Sequence, residues 1–470
     1  MTDIQPQKKL SLLQATAINM TDMVGIGPFV VLSTVAGIMN GPSFLYAWLA
    51  GALLSFADAA IWSELGAAYP LAGGSYNFLK AGFGTKWGRL MSFLFVWQTM
   101  IQAPLVLTSA SLGFAKYFSF LVPLNLIESK MVSGGLIILI VFMLYRKIET
   151  IGNITVALWV GVLITIAIII TGGIWHGNFW QPVADMNDNL VFNASFGLAL
   201  GNASVQTVYS YLGYYNVCHL GGDIKSPQKN IPRSMFISIA GIAVLYLMMN
   251  ISVASVLPFE TIKSSSFVVS DFIKELAGPT AATIVTILIL WVAFASVFSA
   301  TLGYSRIPYA AAKDGAFFSV FARLHPTKQF PHISLLVLGS IAFIFSILFS
   351  NLRDVIRAIL AMRILVQFIS QAIGLLLLHK RKGKNFFPWK MPLYPFPVIL
   401  AILIWAFIFR STNELMLYGV GVAMLGAIAF LIKSYTQKEW PFAIAVVEKD
   451  TDFLFRDNPD IDSNQQKKDL

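Results

Sequence analysis

Residues 25–28, Gly-Ile-Gly-Pro, interrupt an apolar stretch, 12–39, that otherwise has the length of one membrane-spanning helix. Gly25 and Gly27 weaken a helix, and Pro28 has no backbone N–H to donate. The N–H groups freed at such a break lie at the positive end of the next helix, so they suit a carboxylate. In a lipid bilayer, freed backbone groups are tolerated only where protein covers them or where they line a cavity. The break therefore predicts a binding site for a small polar solute, and a plain packing kink is the alternative.

A second apolar segment, 194–219, is interrupted at residues 210–215, Ser-Tyr-Leu-Gly-Tyr-Tyr. The half-helix before this break should end near residues 209–211, where unpaired carbonyl groups and the negative end of the helix dipole suit an ammonium group. Gly213 alone is also consistent with close packing between two helices. Acting together, the two breaks would hold a solute that carries one carboxylate and one ammonium group.

The candidate substrate-binding residues lie in the two breaks or on helices that we expect to face them. For each aromatic or amide side chain outside the breaks, ordinary packing is the alternative. The candidates are Val24, Gly25, Ile26, Gly27, Gln102, Tyr209, Ser210, Tyr211, Gly213, Tyr214, Trp291 and Phe294.

Three charged residues, Asp22, Asp58 and Arg363, fall inside apolar segments, where an ionised group is costly. Arg363 has no acidic residue three or four positions away on its own helix. We therefore expect it to pair with Asp58, with Asp22 or with a carboxylate of the substrate. A purely structural ion pair is the alternative.

Asp22, beside the first break, is also the candidate carrier of a coupling proton. The hydroxyl groups of Ser296 and Ser299, together with backbone oxygens near Val24, form a candidate sodium site instead. Both serines are equally consistent with helix packing. Sodium prefers several close oxygen ligands and these residues offer only a few, so the sequence favours the proton.

The composition is that of a helical membrane protein. Of the 470 residues, 57% are hydrophobic and 12% are charged, whereas a soluble domain carries roughly 25% charged residues. Each span needs about 20 apolar residues. About twelve spans can be placed, near 12–39, 43–67, 90–118, 131–145, 151–174, 194–217, 235–257, 281–304, 333–350, 355–378, 394–409 and 415–432.

Several classes of function are disfavoured by what the chain lacks. There is no phosphate-binding loop and no dinucleotide-binding motif, the five His residues have no metal-ligand spacing, and Cys218 is the single cysteine. We expect a protein that is not an enzyme and that uses no metal and no cofactor.

The net charge of +10 is distributed as a topology signal rather than as a nucleic-acid footprint. With the N-terminus inside, about 25 of the 33 Lys and Arg residues fall on the cytoplasmic side. The loop 176–193, on the opposite side, contains none. We therefore expect a multi-pass protein of the cytoplasmic membrane with both termini in the cytoplasm. Its partner would be the lipid bilayer and not nucleic acid. Residues 436–470 should form a cytoplasmic tail.

The two broken segments are the first and the sixth, five helices apart, and this odd spacing gives the two halves opposite orientations. Such a pattern predicts an inverted repeat of five plus five helices with the site where the breaks meet. The first repeat would cover residues 10–175 and the second 190–380, within a membrane domain of residues 1–435. Helices eleven and twelve, at 393–433, would lie outside the repeat.

Four stretches, in this order, resemble the motifs of the amino acid–polyamine–organocation transporter superfamily. The resemblance covers residues 10 to 435 and implies the leucine-transporter fold and transport of amino acids or related amines, by proton coupling, sodium coupling or exchange. The stretches are Gly25–Phe29, Glu64–Pro70 with Gly73–Tyr76, Gly222–Pro227 with Ile231–Arg233, and Ser305–Arg306 with Lys313–Gly315.

The chain departs from the superfamily pattern in helix five. Many sodium-independent members place a Lys there, at a sodium position, whereas residues 154–170 contain no charged residue. We expect a secondary-active amino acid importer or exchanger that works by alternating access with proton coupling. Sodium coupling and a polyamine substrate are alternatives within the same fold, and a solute channel or a transporter-like sensor is the alternative of another class. The sequence gives no indication of the oligomeric state.

Overall fold

The structure is a computed structural model that describes residues 10–71, 73–145, 148–187, 192–328 and 330–442. Most of the expected cytoplasmic tail, from residue 443 onward, lies outside the described residues. Within these ranges the regular elements are helices, as the composition predicts.

Eighteen α-helices follow one another in the part of the chain that the structure describes. They are α1 (Leu12–Met23), α2 (Gly27–Met39), α3 (Leu45–Ala68), α4 (Ser75–Leu121), α5 (Leu126–Leu144), α6 (Ile148–His176), α7 (Gln181–Ala184), α8 (Ala194–Tyr211), α9 (Asn216–His219), α10 (Pro227–Ala254), α11 (Phe259–Ser264), α12 (Val268–Tyr304), α13 (Arg306–Lys313), α14 (His332–Leu348), α15 (Leu352–Arg363), α16 (Ser370–Lys382), α17 (Phe396–Ser411) and α18 (Leu415–Gln437).

A helical segment stands at each of the predicted spans. In the described part of the chain, seven helices are long and apolar enough to cross a membrane, or up to nine if each of two bent pairs counts as one span. The helices α14 and α17 are apolar but shorter. The polytopic all-helical fold class is thus confirmed, and the inverted repeat stays a prediction.

Two helices begin well before the predicted spans. The helix α4 starts at Ser75 and α12 at Val268, and each contains one glycine in a positive-φ conformation, Gly84 at +77° and Gly278 at +79°. Glycine adopts this conformation without a steric penalty. Each long helix is therefore a short helix joined to a membrane span through a glycine turn.

Glu64 fixes the end of α3 to the segment that follows α16. One carboxylate oxygen, Oε2, lies 3.1 Å from Nε2 of His379, and the other accepts the backbone N–H of Met391 over 3.2 Å. The His379 ring is stacked between Phe387 and Tyr394, with centroid distances of 4.1 and 4.0 Å. Glu64 is thus a structural contact rather than part of the candidate site.

Small residues let long helices touch backbone to backbone. A Cβ atom built on Gly82 of α4 would lie 2.8 Å from Cα of Gly374 on α16. Backbone cannot rotate aside as a flexible side chain does, so this contact requires glycine.

Replacing Gly82 with Val should therefore force α4 and α16 apart. Overpacking a well-packed contact costs about 1–3 kcal/mol, so we expect a melting temperature several degrees lower for the detergent-solubilised protein. Gly421→Val is the matched control, because a Cβ at Gly421 meets no atom within 4 Å. Equal melting temperatures for the two variants would show that the Gly82 contact is not tight.

Candidate substrate-binding site

The first break separates α1 from α2 and bends the pair by 50°. Val24 and Gly25 still donate their N–H groups, to the carbonyl oxygens of Met20 (2.9 Å) and Met23 (3.0 Å). The N–H groups of Ile26 and Gly27 have no acceptor among the described residues. Helix α2 then begins with proline in its first turn and without a side-chain cap. Two N–H donors at the positive end of a helix are thus left for a ligand.

The second break lies between α8 and α9. Gly213 adopts a φ of +122°, and a Cβ at this position would lie 2.8 Å from Oδ2 of Asp22 and 2.9 Å from the backbone nitrogen of Met23. The two breaks therefore lie against each other. A Cβ on Gly27 would likewise meet Oγ of Ser210 and Cε1 of Tyr209 at 3.1 Å.

Tyr246 of α10 joins the two breaks. Its hydroxyl group lies 2.7 Å from the carbonyl oxygen of Met23 and 3.0 Å from that of Ser210, and the side chain is fully buried. A hydroxyl group has one proton, so it donates to one of these oxygens at a time. Asn19 adds a second link, since its Oδ1 accepts the backbone N–H of Val217 in α9 over 2.9 Å.

A cavity opens where the breaks meet. The volume of this cavity is about 40 Å³, counted as the space open to the centres of water molecules. This is enough for roughly three waters. Five of the predicted site residues, Gly25, Gly27, Tyr209, Ser210 and Ser296, line it together with the charged Asp22 and Arg363. The remaining lining residues are Met23, Val106, Leu212, Tyr215, Ala300 and Tyr304.

Arg363 reaches this cavity from the last residue of α15 and is only 2% exposed. Its Nε donates to Oε1 of Gln367 over 2.9 Å, and its Nη2 donates to the hydroxyl group of Tyr215. The guanidinium carbon lies 5.2 and 5.5 Å from the ring centroids of Tyr215 and Phe368, within the range of a cation–π contact. A π-helical turn, Ile364–Ile369, follows directly; such turns are frequent at functional sites.

The two membrane carboxylates have different surroundings. Asp22 lines the cavity, accepts a side-chain hydrogen bond from Asn216 and is attracted by Arg363. Asp58 lies elsewhere, where its Oδ2 accepts the Tyr214 hydroxyl (2.5 Å) and its Oδ1 accepts Nε1 of Trp405 (3.1 Å). In the described part of the chain, neither carboxylate forms an ion pair with Arg363 within 4.0 Å.

The two candidate sodium ligands, Ser296 and Ser299, have different surroundings. Ser296 lines the cavity, and its Oγ lies 2.7 Å from the position of a Cβ on Gly25. Oγ of Ser299 is buried and has no hydrogen-bond partner among the described residues. A buried hydroxyl group without a partner is unusual and leaves an oxygen for a ligand.

The structure places five other predicted site residues away from the cavity lining. Tyr211 packs edge-on against Trp48 and Tyr246, and Tyr214 points to Asp58. Gln102 stands behind the lining, with Nε2 3.5 Å from the hydroxyl of Tyr304. Phe294 stacks on Phe298 with ring centroids 6.2 Å apart, and Trp291 is 43% exposed and donates Nε1 to the carbonyl oxygen of Leu158 over 3.2 Å.

Val24, Ile26 and Gly213 complete the predicted set. The side chains of Val24 and Ile26 are buried in the hydrophobic core, and Gly213 forms the close contact between the breaks described above. None of the three is among the residues that line the cavity.

Five lining residues, Met23, Val106, Leu212, Ala300 and Tyr304, were not among the predicted site residues, whereas Tyr215 lies within the predicted second break, 210–215. Ser296, Ala300 and Tyr304 are spaced at i, i+4 and i+8 on α12, so they share one helix face. Applying this periodicity to Ser296 would have found the other two. Tyr215 follows a glycine turn, and no periodicity predicts its direction.

Comparison of the sequence with known proteins identifies the family of this chain. A family model described as amino acid permease matches residues 10–446. The chain belongs to the amino acid permease family. The expected membership in the amino acid–polyamine–organocation superfamily is confirmed, and the protein is a membrane transporter and not an enzyme.

Full-length transporters are among its relatives. The serine/threonine exchanger SteT of Bacillus subtilis (strain 168) is 26% identical over 439 residues, which cover 92% of this chain and 97% of the relative. The Asc-type amino acid transporter 1 of Mus musculus is 26% identical over 440 residues, covering 89% and 79%. The methylthioribose transporter of Bacillus subtilis (strain 168) is 24% identical over 430 residues, covering 85% and 87%.

Replacing Gly27 with Leu should abolish the approach of a ligand to the first break, because the new side chain would fill the space beside Tyr209 and Ser210. We expect a folded, membrane-inserted permease whose affinity for its amino acid, measured by equilibrium binding to purified protein, falls at least tenfold. Gly135→Leu is the control, since a Cβ there meets no atom within 4 Å. Unchanged affinity in Gly27→Leu would remove the first break from the site.

Proposed function

We propose that the chain is a secondary-active amino acid transporter that works by alternating access, with the substrate held in the cavity between the two broken helices. One observation carries this proposal. Gly27, at the positive end of α2 with a free N–H group, and Tyr209 and Ser210, at the negative end of α8, line the same cavity.

The two ends are complementary to an amino acid backbone. Free N–H groups at a helix N-terminus favour the carboxylate, and the carbonyl groups at the end of α8 favour the ammonium group. The carbonyl of Ser210 and the side chain of Asp22 lie on the side where the ammonium group would sit. A channel built on this fold would not concentrate its substrate, and a sensor would bind the substrate without net flux.

We propose further that Asp22 carries the coupling proton. It is a half-buried carboxylate that lines the cavity and lies beside both breaks, so gain or loss of its proton changes the charge in the cavity itself. Sodium coupling through Ser296 and Ser299 is the alternative, and the unpartnered Oγ of Ser299 favours it. Exchange without a coupling ion is favoured by SteT, which is named as a serine/threonine exchanger.

The proposed orientation has both termini in the cytoplasm of a cell whose cytoplasmic membrane holds the protein. The basic run at the end of α16, with Lys380, Arg381, Lys382 and Lys384, would then lie inside. The segment from His176 to Asn187, which contains no Lys or Arg, would lie outside.

Uptake by purified protein in liposomes tests the proposed transport and its coupling together. We expect an inward proton gradient to raise uptake of the accepted amino acid several-fold without sodium, and Asp22→Asn to abolish this stimulation because it cannot exchange a proton. Counterflow against the twenty amino acids and common polyamines identifies the substrate first.

Asp185→Asn is the control, because this carboxylate lies in the segment between α6 and α8 and bonds to Gln181. Uptake that requires sodium and ignores the proton gradient would contradict proton coupling and favour the serine site. Counterflow without any applied gradient, unaffected by Asp22→Asn, would favour exchange.

The orientation is testable with an impermeant thiol reagent. The native Cys218 is 1% exposed, so it contributes little background, and Cys218→Ala removes it. We expect a cysteine at Asn178 to be labelled in intact cells and one at Lys384 only after the membrane is opened. Labelling of the Lys384 position in intact cells would overturn the proposed orientation.

A further inference from the structure

We propose that this transporter selects amino acids with an acidic side chain, and that Arg363 binds the side-chain carboxylate. This inference rests on the proposed transport of amino acids through the central cavity and names the substrate class of that site.

The guanidinium group of Arg363 has donors to spare at the cavity. Arginine carries five N–H donors, and the described residues accept from Nε and Nη2 only. The side chain is 2% exposed and lines the cavity. Its remaining donors have no acceptor among the described residues, and Arg363 lines a cavity that residues of both breaks also line.

Arg363 also lacks a close counter-ion. Isolating a cation from water is costly unless an anion and hydrogen bonds replace the lost solvation. Asp58 is already held by Tyr214 and Trp405. Asp22 attracts Arg363 but bonds to Asn216 instead, and within the described ranges no ion pair closer than 4.0 Å includes Arg363. A substrate carboxylate would supply the missing partner.

The guanidinium group of Arg363 is carried by a different helix from the groups that suit the carboxylate of the amino acid backbone. It is therefore available to a second carboxylate, that of the side chain. The free N–H groups of Ile26 and Gly27 already suit the carboxylate of the amino acid backbone, and the end of α8 and Asp22 suit its ammonium group. Arg363 reaches the cavity from α15, a separate helix. The cavity thus offers three charged or polar subsites, and an acidic amino acid has three matching groups.

A second cavity is also lined by positively charged side chains. It offers about 280 Å³ to the centres of water molecules and is lined by Lys263 and Arg353, with Ser33, Thr34, Gly37 and Ile38 of α2. Arg353 begins the same helix, α15, that ends with Arg363, about 15 Å away at the helical rise. Glu260 lies 3.5 Å from Lys263 but is 80% exposed. Clefts with cations of this kind raise the local concentration of anionic ligands.

The test compares acidic amino acids with their neutral isosteres, since glutamate and glutamine have nearly the same size, as do aspartate and asparagine. We expect glutamate or aspartate to compete in counterflow at least about tenfold better than its amide, the factor expected when one hydrogen bond to a charged group is lost. Equal competition by acid and amide would overturn the inference.

Variants at Arg363 assign the preference to its charge. Arg363→Gln should reduce the ratio of acid to amide competition toward one, and Arg363→Lys should keep part of it. Lys274→Gln is the matched control, because Lys274 is exposed and lines neither cavity, and its ratio should equal that of the natural protein. A ratio unchanged in Arg363→Gln would also contradict the inference.

Binding is measured separately from transport, by the shift in melting temperature of the purified natural protein with each amino acid. Uptake of neutral amino acids with no preference for acids would leave the proposed function standing and remove the acidic selectivity. A thermal shift with glutamate but not glutamine, in a protein that moves neither, would support the subsite and contradict transport.

Discussion

Backbone N–H and carbonyl groups inside a membrane protein must find partners, because lipid offers none. The continuous helical pattern is broken between α1 and α2 and again between α8 and α9. The structure satisfies part of the freed groups internally: Tyr246 serves Met23 and Ser210, and Asn19 accepts from Val217. The N–H groups of Ile26 and Gly27 are left without an acceptor among the described residues, and Gly27 lines one small cavity. The same groups that destabilise the helices are therefore those available to a ligand.

Two side chains of opposite charge lie at the cavity. Asp22 and Arg363 both line it, and they attract each other without forming a close ion pair. If a substrate carboxylate binds Arg363, as we propose, it competes with Asp22 for the same cation. Loss of that attraction makes a protonated Asp22 more favourable, so binding of an acidic substrate and uptake of a proton would be coupled by one guanidinium group. The contact of Glu64 with His379 is separate from this arrangement and fixes helix ends.

Much of the architecture could be predicted because it depends on local composition. Apolar runs of about 20 residues mark the spans, and the glycines and proline at 25–28 mark the first break.

The side chains that line the cavity were harder to predict, because their directions depend on backbone geometry. Gly213 adopts a φ of +122°, after which Tyr214 points to Asp58 and Tyr215 to the cavity, although the two are adjacent. On α12, Trp291 and Ser296 lie on different faces, and only the packing of the helix decides which face meets the breaks. The partner of Arg363 was unpredictable for a related reason, since Asp58 is taken by Trp405 from α17, 347 residues further along the chain.

The central claim is that the two breaks jointly hold the substrate, and an experimental structure of the purified permease with the amino acid identified by counterflow tests it most directly. The account predicts density in the central cavity, with the backbone carboxylate of the ligand within hydrogen-bond distance of the N–H groups of Ile26 and Gly27 and its ammonium group beside the carbonyl of Ser210. Density confined to the outer cavity beside Lys263 and Arg353, or a bound ligand that touches neither break, would contradict it.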